Sequence, residues 1–113
     1  MTTEAAKARF KARVEAWAER LDAPVTSISV RAMRRKWASY STTGRLTFDA
    51  TLLGLREELQ DYVIAHELLH SRAPNHGRLW KSLMRVHLGE HERLEEELRG
   101  LAATHEKGNA AHR

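Results

Sequence analysis

Apolar residues recur along the chain with two different periods, and each period predicts a different kind of element. In residues 4–21 the large apolar residues are spaced by four, three and four positions, starting at Phe10. This spacing places them on one face of a helix. In residues 27–32 apolar and polar residues alternate, which is the period of a strand with one buried face. Residues 36–41 and 45–49 have the composition of two further short strands, and Gly44 lies in the turn between them.

The second half of the chain has helical periodicity. Leu59, Val63, His66 and His70 follow one helical stripe, which predicts a helix that ends before Pro74. Asn75 is the predicted N-cap of the next helix. The residues expected to be buried in that helix are Leu79, Trp80, Leu83 and Met84. Leu88 and Gly89 should end it, and the last helix is marked by Leu94, Leu98 and Leu101.

These elements together predict an α+β fold. Its order is an N-terminal helix, a small antiparallel sheet, the helix that carries His66 and His70, and two C-terminal helices. With 113 residues, of which 42% are apolar, the chain is long enough for one domain with a modest core. We expect that domain to span residues 1–103 and to be followed by a flexible tail, residues 104–113.

Composition narrows the possible chemistry. The chain has no cysteine, which excludes a disulfide scaffold, a cysteine-based zinc finger and a cysteine nucleophile. Any metal ion must therefore be held by His, Asp or Glu, and the chain has seven histidines. The first ten residues mix charged residues with alanine and contain neither a signal peptide's apolar stretch nor a membrane span. We therefore expect a cytoplasmic protein.

Residues 66–70, His-Glu-Leu-Leu-His, match the H-E-x-x-H pattern. In this pattern two histidines one helical turn apart project from one face and can bind the same metal ion. Glu67 lies at the flank of that face, where it can accept a proton from water as a general base. The motif predicts a zinc-dependent hydrolase.

A catalytic zinc site usually has three protein ligands, so a third ligand is required. His76 is the preferred candidate, because a helix that stops at Pro74 allows the chain to turn back toward the metal. Glu90 is a second candidate, twenty residues after His70. His87 and His91 form an inverted H-x-x-E-H pattern, but Gly89 interrupts the helix that would hold both. We expect these two histidines to be partly exposed at a helix junction.

The chain resembles the YgjP-like family of zinc metallopeptidases, which are relatives of the SprT-like and WLM groups of zincins. The resemblance is carried by residues 33–41, 44–52, 62–70 and 75–80. It implies a minimal zincin-like domain, one Zn²⁺ per chain held by His66, His70 and His76, Glu67 as general base, and a peptide or unfolded protein as substrate. Ala38, Tyr40 and Asp49 depart from the family pattern, which affects substrate preference more than metal binding.

Tyr40 has two interpretations, a hydroxyl directed toward the substrate cleft or a half-buried strand aromatic. Substrate strands in zincins pair with an edge strand near the metal, and residues 37–41 and 46–48 are the candidate strands here. Attack of water on a peptide carbonyl produces an oxyanion. By residue type, the candidates for stabilising it are Tyr62, Arg78 and His87.

A basic segment suggests an alternative function. Arg31, Arg34, Arg35 and Lys36 lie beside Trp37, in a chain with a net charge of +4. The cations could contact phosphates weakly, and Trp37 could stack on a base. The alternative is therefore a metal-binding adaptor, catalytically weak or inactive, that contacts nucleic acid or a protein partner. Glu67 favours the peptidase, because a purely structural site does not need a carboxylate beside its first ligand. The sequence leaves the oligomeric state open.

Overall fold

A computed structural model describes residues 3–70 and 77–105. In chain order the elements are helix α1 (Thr3–Leu21), strands β1 (Ser27–Arg31), β2 (Ala38–Tyr40) and β3 (Arg45–Asp49), a short 3₁₀ helix (Ala50–Gly54), and helices α2 (Glu57–Leu69), α3 (Arg78–Leu88) and α4 (Glu92–His105). The predicted α+β class and the order of its elements are confirmed.

Helix α1 buries the face that the sequence predicts. Phe10, Val14, Trp17 and Leu21 are all buried, and Phe10 packs edge-on against Phe48 of β3 with ring centroids 5.0 Å apart. The Trp17 Nε1–H group donates a hydrogen bond to Asp61 Oδ1 of α2 at 2.9 Å. This face therefore joins α1 both to the sheet and to α2.

The sheet has the strand order β1-β3-β2 and is mixed. Strands β2 and β3 form the expected antiparallel hairpin, but β1 pairs with β3 in parallel. The prediction of an antiparallel sheet is therefore wrong for β1. The chain reverses direction twice between β1 and β3, so β3 runs in the same direction as β1 and inserts between its two neighbours. Alternating polarity predicts strands, but it does not determine their order.

Gly44 allows the hairpin to pack against the connection between α1 and β1. Its φ of +87° lies in the left-handed region, and a Cβ at this position would lie 3.2 Å from both Pro24 O and Thr26 N. The Gly44 carbonyl accepts a hydrogen bond from Thr26 N–H at 2.8 Å. Glycine is thus required both by the backbone conformation and by the close approach of the α1–β1 connection.

Helix α2 is the central element of the fold. Ten of its 13 residues are buried, and it contacts α1, β2, α3 and α4. The Gln60 side chain donates hydrogen bonds to the carbonyls of Leu52 and Leu55, which ties the start of the helix to the 3₁₀ segment. The helix that carries the H-E-x-x-H motif is therefore held on several sides.

The C-terminal helices differ from the prediction in three details. Gly77, not Asn75, occupies the N-cap position of α3, and Asn75 lies outside the described residues. Leu79 is 58% exposed instead of buried, whereas Trp80 and Met84 are buried as expected. Helix α4 continues to His105, so the first two residues of the predicted tail are helical, and residues 106–113 lie outside the described part.

Replacing Gly44 with Ala should lower the free energy of unfolding by about 1–2 kcal/mol, because a left-handed backbone disfavours a Cβ atom and close backbone atoms add to the cost. Gly54→Ala is the matched control, since nothing lies within 4 Å of a Cβ built there. The control should change the stability by less than about 1 kcal/mol. Urea titration measures both variants, and equal stabilities would contradict this account of the turn.

Candidate metal centre

The last turns of α2 supply three potential metal-binding groups. His66 and Glu67 lie within the helix, and His70 is its C-cap residue, with αR dihedral angles and an N–H group bonded to the Glu67 carbonyl. The backbone therefore remains helical through the whole motif. The His66 and His70 rings lie on the same side of the helix, with centroids 5.0 Å apart and planes at 69°.

The side chains of His66, Glu67 and His70 form a compact group. One potential ligand atom from each lies within 4.8 Å of the others. Ligands bound at about 2.0–2.2 Å from one zinc ion are roughly 3–4 Å apart, so small side-chain rotations would bring these atoms to ligand spacing. His66 and Glu67 are each 2% exposed, and His66 Nδ1 lies 3.4 Å from Glu67 Oε2.

This donor set fits a divalent cation. Two imidazoles and a carboxylate are typical ligands for zinc, and burial of a carboxylate such as Glu67 is costly without a compensating positive charge. The arrangement can therefore hold a metal ion and place a carboxylate next to it.

The third ligand preferred from the sequence is not among the described residues. His76 lies among residues 71–76, outside the described part of the chain. Within the described ranges, neither Glu90 nor His91 joins the group formed on α2. The Glu90 side chain is exposed, and His87 packs against Trp17 with ring centroids 6.0 Å apart. The inverted motif thus forms no metal-binding group among the described residues.

Two aromatic rings pack on the His66 ring, and a third lies behind them; the sequence did not predict this packing. Tyr62 and Trp80 contact the His66 ring at centroid distances of 5.8 and 5.2 Å. His91 lies behind both, stacked on Tyr62 at 6.3 Å and edge-on to Trp80 at 5.7 Å. Tyr62 could have been found from the sequence, because it lies one helical turn before His66. Trp80 belongs to α3 and His91 lies just before α4, so their positions depend on tertiary packing.

The Tyr62 hydroxyl is engaged on the side of α4. It donates a hydrogen bond to Glu95 Oε1 at 3.2 Å, and Arg99 donates to the other Glu95 oxygen. Burial raises the pKa of Tyr62 far above its usual value, so the hydroxyl stays protonated. Through this hydrogen bond Tyr62 links α2 to α4.

His91 is more buried than the sequence suggests. It is 2% exposed instead of partly exposed, whereas His87 is half-buried as expected. Burial lowers the pKa of His91, against the opposing effect of Glu92 and Glu95, while Arg85 and His66 act in the same direction as burial. The ring is therefore neutral at pH values where an exposed histidine begins to be protonated.

Comparison with known proteins decides the family. The model of the YgjP-like family, described as a metallopeptidase domain, matches residues 1–100. The chain belongs to the YgjP-like metallopeptidase family. The resemblance seen in the sequence is thereby confirmed, and the chain is assigned to the metallopeptidases, hydrolases that act on peptides or proteins and require a metal ion.

Solved structures agree with this family. The crystal structure of the metallopeptidase zymogen jannalysin from Methanocaldococcus jannaschii is 28% identical, with a TM-score of 0.70, and the match covers 84% of this chain and 96% of that one. The metallopeptidase zymogen abylysin from Pyrococcus abyssi is 23% identical, with a TM-score of 0.68 and coverages of 88% and 97%, and supports the fold. No curated protein matches the chain.

The described helices include none with the length and apolar character needed to cross a membrane.

The burial of His91 predicts a specific pH dependence of stability. Because its pKa is lowered in the folded state, the unfolded chain takes up a proton first as the pH falls, and this favours unfolding below the usual histidine pKa. His91→Phe keeps a ring between Tyr62 and Trp80 but cannot be protonated. In the presence of a chelator, its free energy of unfolding should therefore decline less between about pH 7 and about pH 5 than that of the wild type. Identical declines in urea titrations would contradict this.

Proposed function

We propose that this protein is a zinc-dependent peptidase in which His66, His70 and His76 bind one Zn²⁺ and Glu67 is the general base. The observation that supports it most strongly is the His66–Glu67–His70 group, in which His66 and Glu67 are buried and the potential ligand atoms lie within 4.8 Å of one another. Membership in a metallopeptidase family supports the same chemistry.

Zinc fits the donors that the chain offers. The chain has no cysteine, so a zinc ion would be bound by histidine nitrogens or carboxylate oxygens. Three histidines would leave one coordination position open, as in catalytic zinc sites. When bound, zinc supplies Lewis-acid chemistry, which polarises a peptide carbonyl and makes water a nucleophile near neutral pH.

Glu67 performs the proton transfer in this proposal. Its Oε atoms accept a proton from the attacking water and then deliver it to the nitrogen of the leaving amine. The position is suitable because the carboxylate is next to His66 in sequence and only 2% exposed, which keeps bulk water from competing for the proton. A metal site with a purely structural role would not require this carboxylate.

Strand β2 is suited to hold the substrate. It lies at one edge of the sheet and packs against α2. Trp37 and Ser41 are bonded to β3 through backbone hydrogen bonds, and in an antiparallel pair such residues alternate with residues that face away. The backbone groups of Ala38 and Tyr40 therefore point toward the outer edge, where an extended peptide could add as a further strand.

The Tyr40 side chain has a different role from its backbone. Its hydroxyl donates a hydrogen bond to the Pro24 carbonyl at 2.5 Å, and the ring is half-buried. This favours the interpretation of Tyr40 as a strand aromatic that ties β2 to the α1–β1 connection. Peptide binding at this edge would then depend mainly on main-chain contacts, which suits an unfolded chain.

Metal analysis of the purified protein should find about one zinc ion per chain. His70→Ala should lose it, because the substitution removes one of the ligands. His87→Ala is the control, since His87 packs against Trp17 outside the group on α2. Mass spectrometry of metal content measures all three proteins, and full zinc retention by His70→Ala would refute the ligand assignment.

Glu67→Gln should lower the rate of cleavage of an unfolded protein by about 10²–10⁴-fold at equal zinc content, since the amide cannot accept the proton. Glu90→Gln is the matched control, because Glu90 is exposed and outside the group. It should keep the wild-type rate and zinc content. If Glu67→Gln cleaves as fast as the wild type, Glu67 is not the base; a zinc-loaded wild type without cleavage would favour the adaptor.

A further inference from the structure

The β1–β2 loop, residues 32–37, is fixed to the sheet at both ends. The Met33 N–H group donates to Asp49 Oδ1 at 2.9 Å, and the Asp49 N–H group donates to the Trp37 carbonyl at 2.8 Å. Asp49 and Trp37 are each 2% exposed. Between these two anchors the chain bends at Arg34 and Arg35, whose side chains are exposed. The loop therefore holds two cations at a defined place.

Within the described ranges, the cations of residues 31–36 are not ion-paired, in contrast to several other arginines. Arg13 pairs with Asp61, and Arg56 pairs with Glu97. In the part of the chain that the structure describes, Arg31, Arg34, Arg35 and Lys36 have no carboxylate within 4.0 Å. These four cations lie within six consecutive residues, at the end of β1 and in the loop, so this short segment carries a cluster of positive charge.

The loop leads directly into the edge strand. Ala38, the first residue of β2, follows Trp37, and β2 packs against the helix that carries the metal-binding group. A peptide that lies along β2 would have one of its ends beside Arg34 and Arg35. Side chains of the peptide near that end would meet positive charge.

We propose that the β1–β2 loop selects acidic polypeptide segments as substrates of this peptidase, with Arg34 and Arg35 as the residues that determine the preference. This inference rests on the proposed function and adds a substrate class to it. Aspartate and glutamate side chains on the peptide segment beside the loop pair with the two guanidinium groups, while the β2 backbone holds the main chain.

A polypeptide fits this surface better than a nucleic acid. Single-stranded nucleic acid is usually held by exposed aromatic rings together with cations. Trp37, the aromatic residue of the basic segment, is 2% exposed and cannot stack on a base, so the expectation of stacking is wrong. The adjacent element is an edge strand, which offers backbone hydrogen bonds to another polypeptide.

The test compares two peptides that differ at a few positions flanking the cleaved bond, with Asp and Glu in one and Asn and Gln in the other. Zinc-loaded wild type should cleave the acidic peptide with the higher kcat/KM. In Arg34→Ala/Arg35→Ala, the ratio of the two kcat/KM values should fall about tenfold, since each exposed ion pair contributes modestly. The wild-type ratio should also fall as sodium chloride rises from about 50 to about 500 mM.

Lys7→Ala/Lys11→Ala is the matched control. It also removes two positive charges, but from α1, and both residues lie outside the loop. This variant should keep the wild-type ratio. An unchanged ratio in Arg34→Ala/Arg35→Ala, or an equal fall in both double variants, would overturn the proposal.

A binding measurement separates this inference from the proposed function. Fluorescence anisotropy with labelled peptides, in the zinc-loaded Glu67→Gln background, should show tighter binding of the acidic peptide that depends on Arg34 and Arg35. If this binding is seen but wild type cleaves neither peptide, the peptidase proposal fails while the selectivity of the loop stands. If a single-stranded oligonucleotide binds through the two arginines and the acidic peptide does not, the loop is a nucleic-acid site and the proposal is wrong.

Discussion

The burial of α2 on nearly all sides is the constraint on which the rest of this structure depends. Helix α1, strand β2 and the two C-terminal helices all pack against it, so its apolar residues form the centre of the core. Burial of these side chains supplies most of the free energy that holds the layers together. The same burial encloses the last turns of the helix, where His66 and Glu67 are 2% exposed. Burying the Glu67 carboxylate at this place costs free energy unless a bound cation compensates its charge.

Aromatic rings from several parts of the chain pack around His66. Tyr62 and Trp80 pack on the His66 ring, and His91 stacks behind them. These rings restrict the orientation of the His66 ring. In the proposed zinc site they would therefore contribute to metal affinity, as residues that orient metal ligands usually do. The hydrogen bond from Tyr62 to Glu95 extends this support to α4. The candidate donors described in the structure all come from α2, and residues of α3 and α4 support them.

Asp49 links the sheet to the surface that we assign to substrate selection. It is buried at the end of β3, yet it accepts a hydrogen bond from Met33 and donates one from its backbone to Trp37. This residue departs from the family pattern in the sequence, and in the proposed selection of acidic substrates it would act by fixing the loop. Because Asp49 fixes both ends of the loop, the cations at Arg34 and Arg35 are presented beside β2 and not on a freely moving segment.

The sequence by itself determined the α+β class, the positions of the helices and the H-E-x-x-H group, because helical periodicity and a four-residue spacing are local properties of the chain. His66, Glu67 and His70 are brought together by one helix, so no tertiary contact was needed to predict them. The parallel pairing of β1 with β3, the exposure of Leu79 and the burial of Trp37 and His91 were decided by the tertiary structure. Each depends on which distant elements meet, and a pattern of polar and apolar residues along one segment carries no information about the partner that covers it.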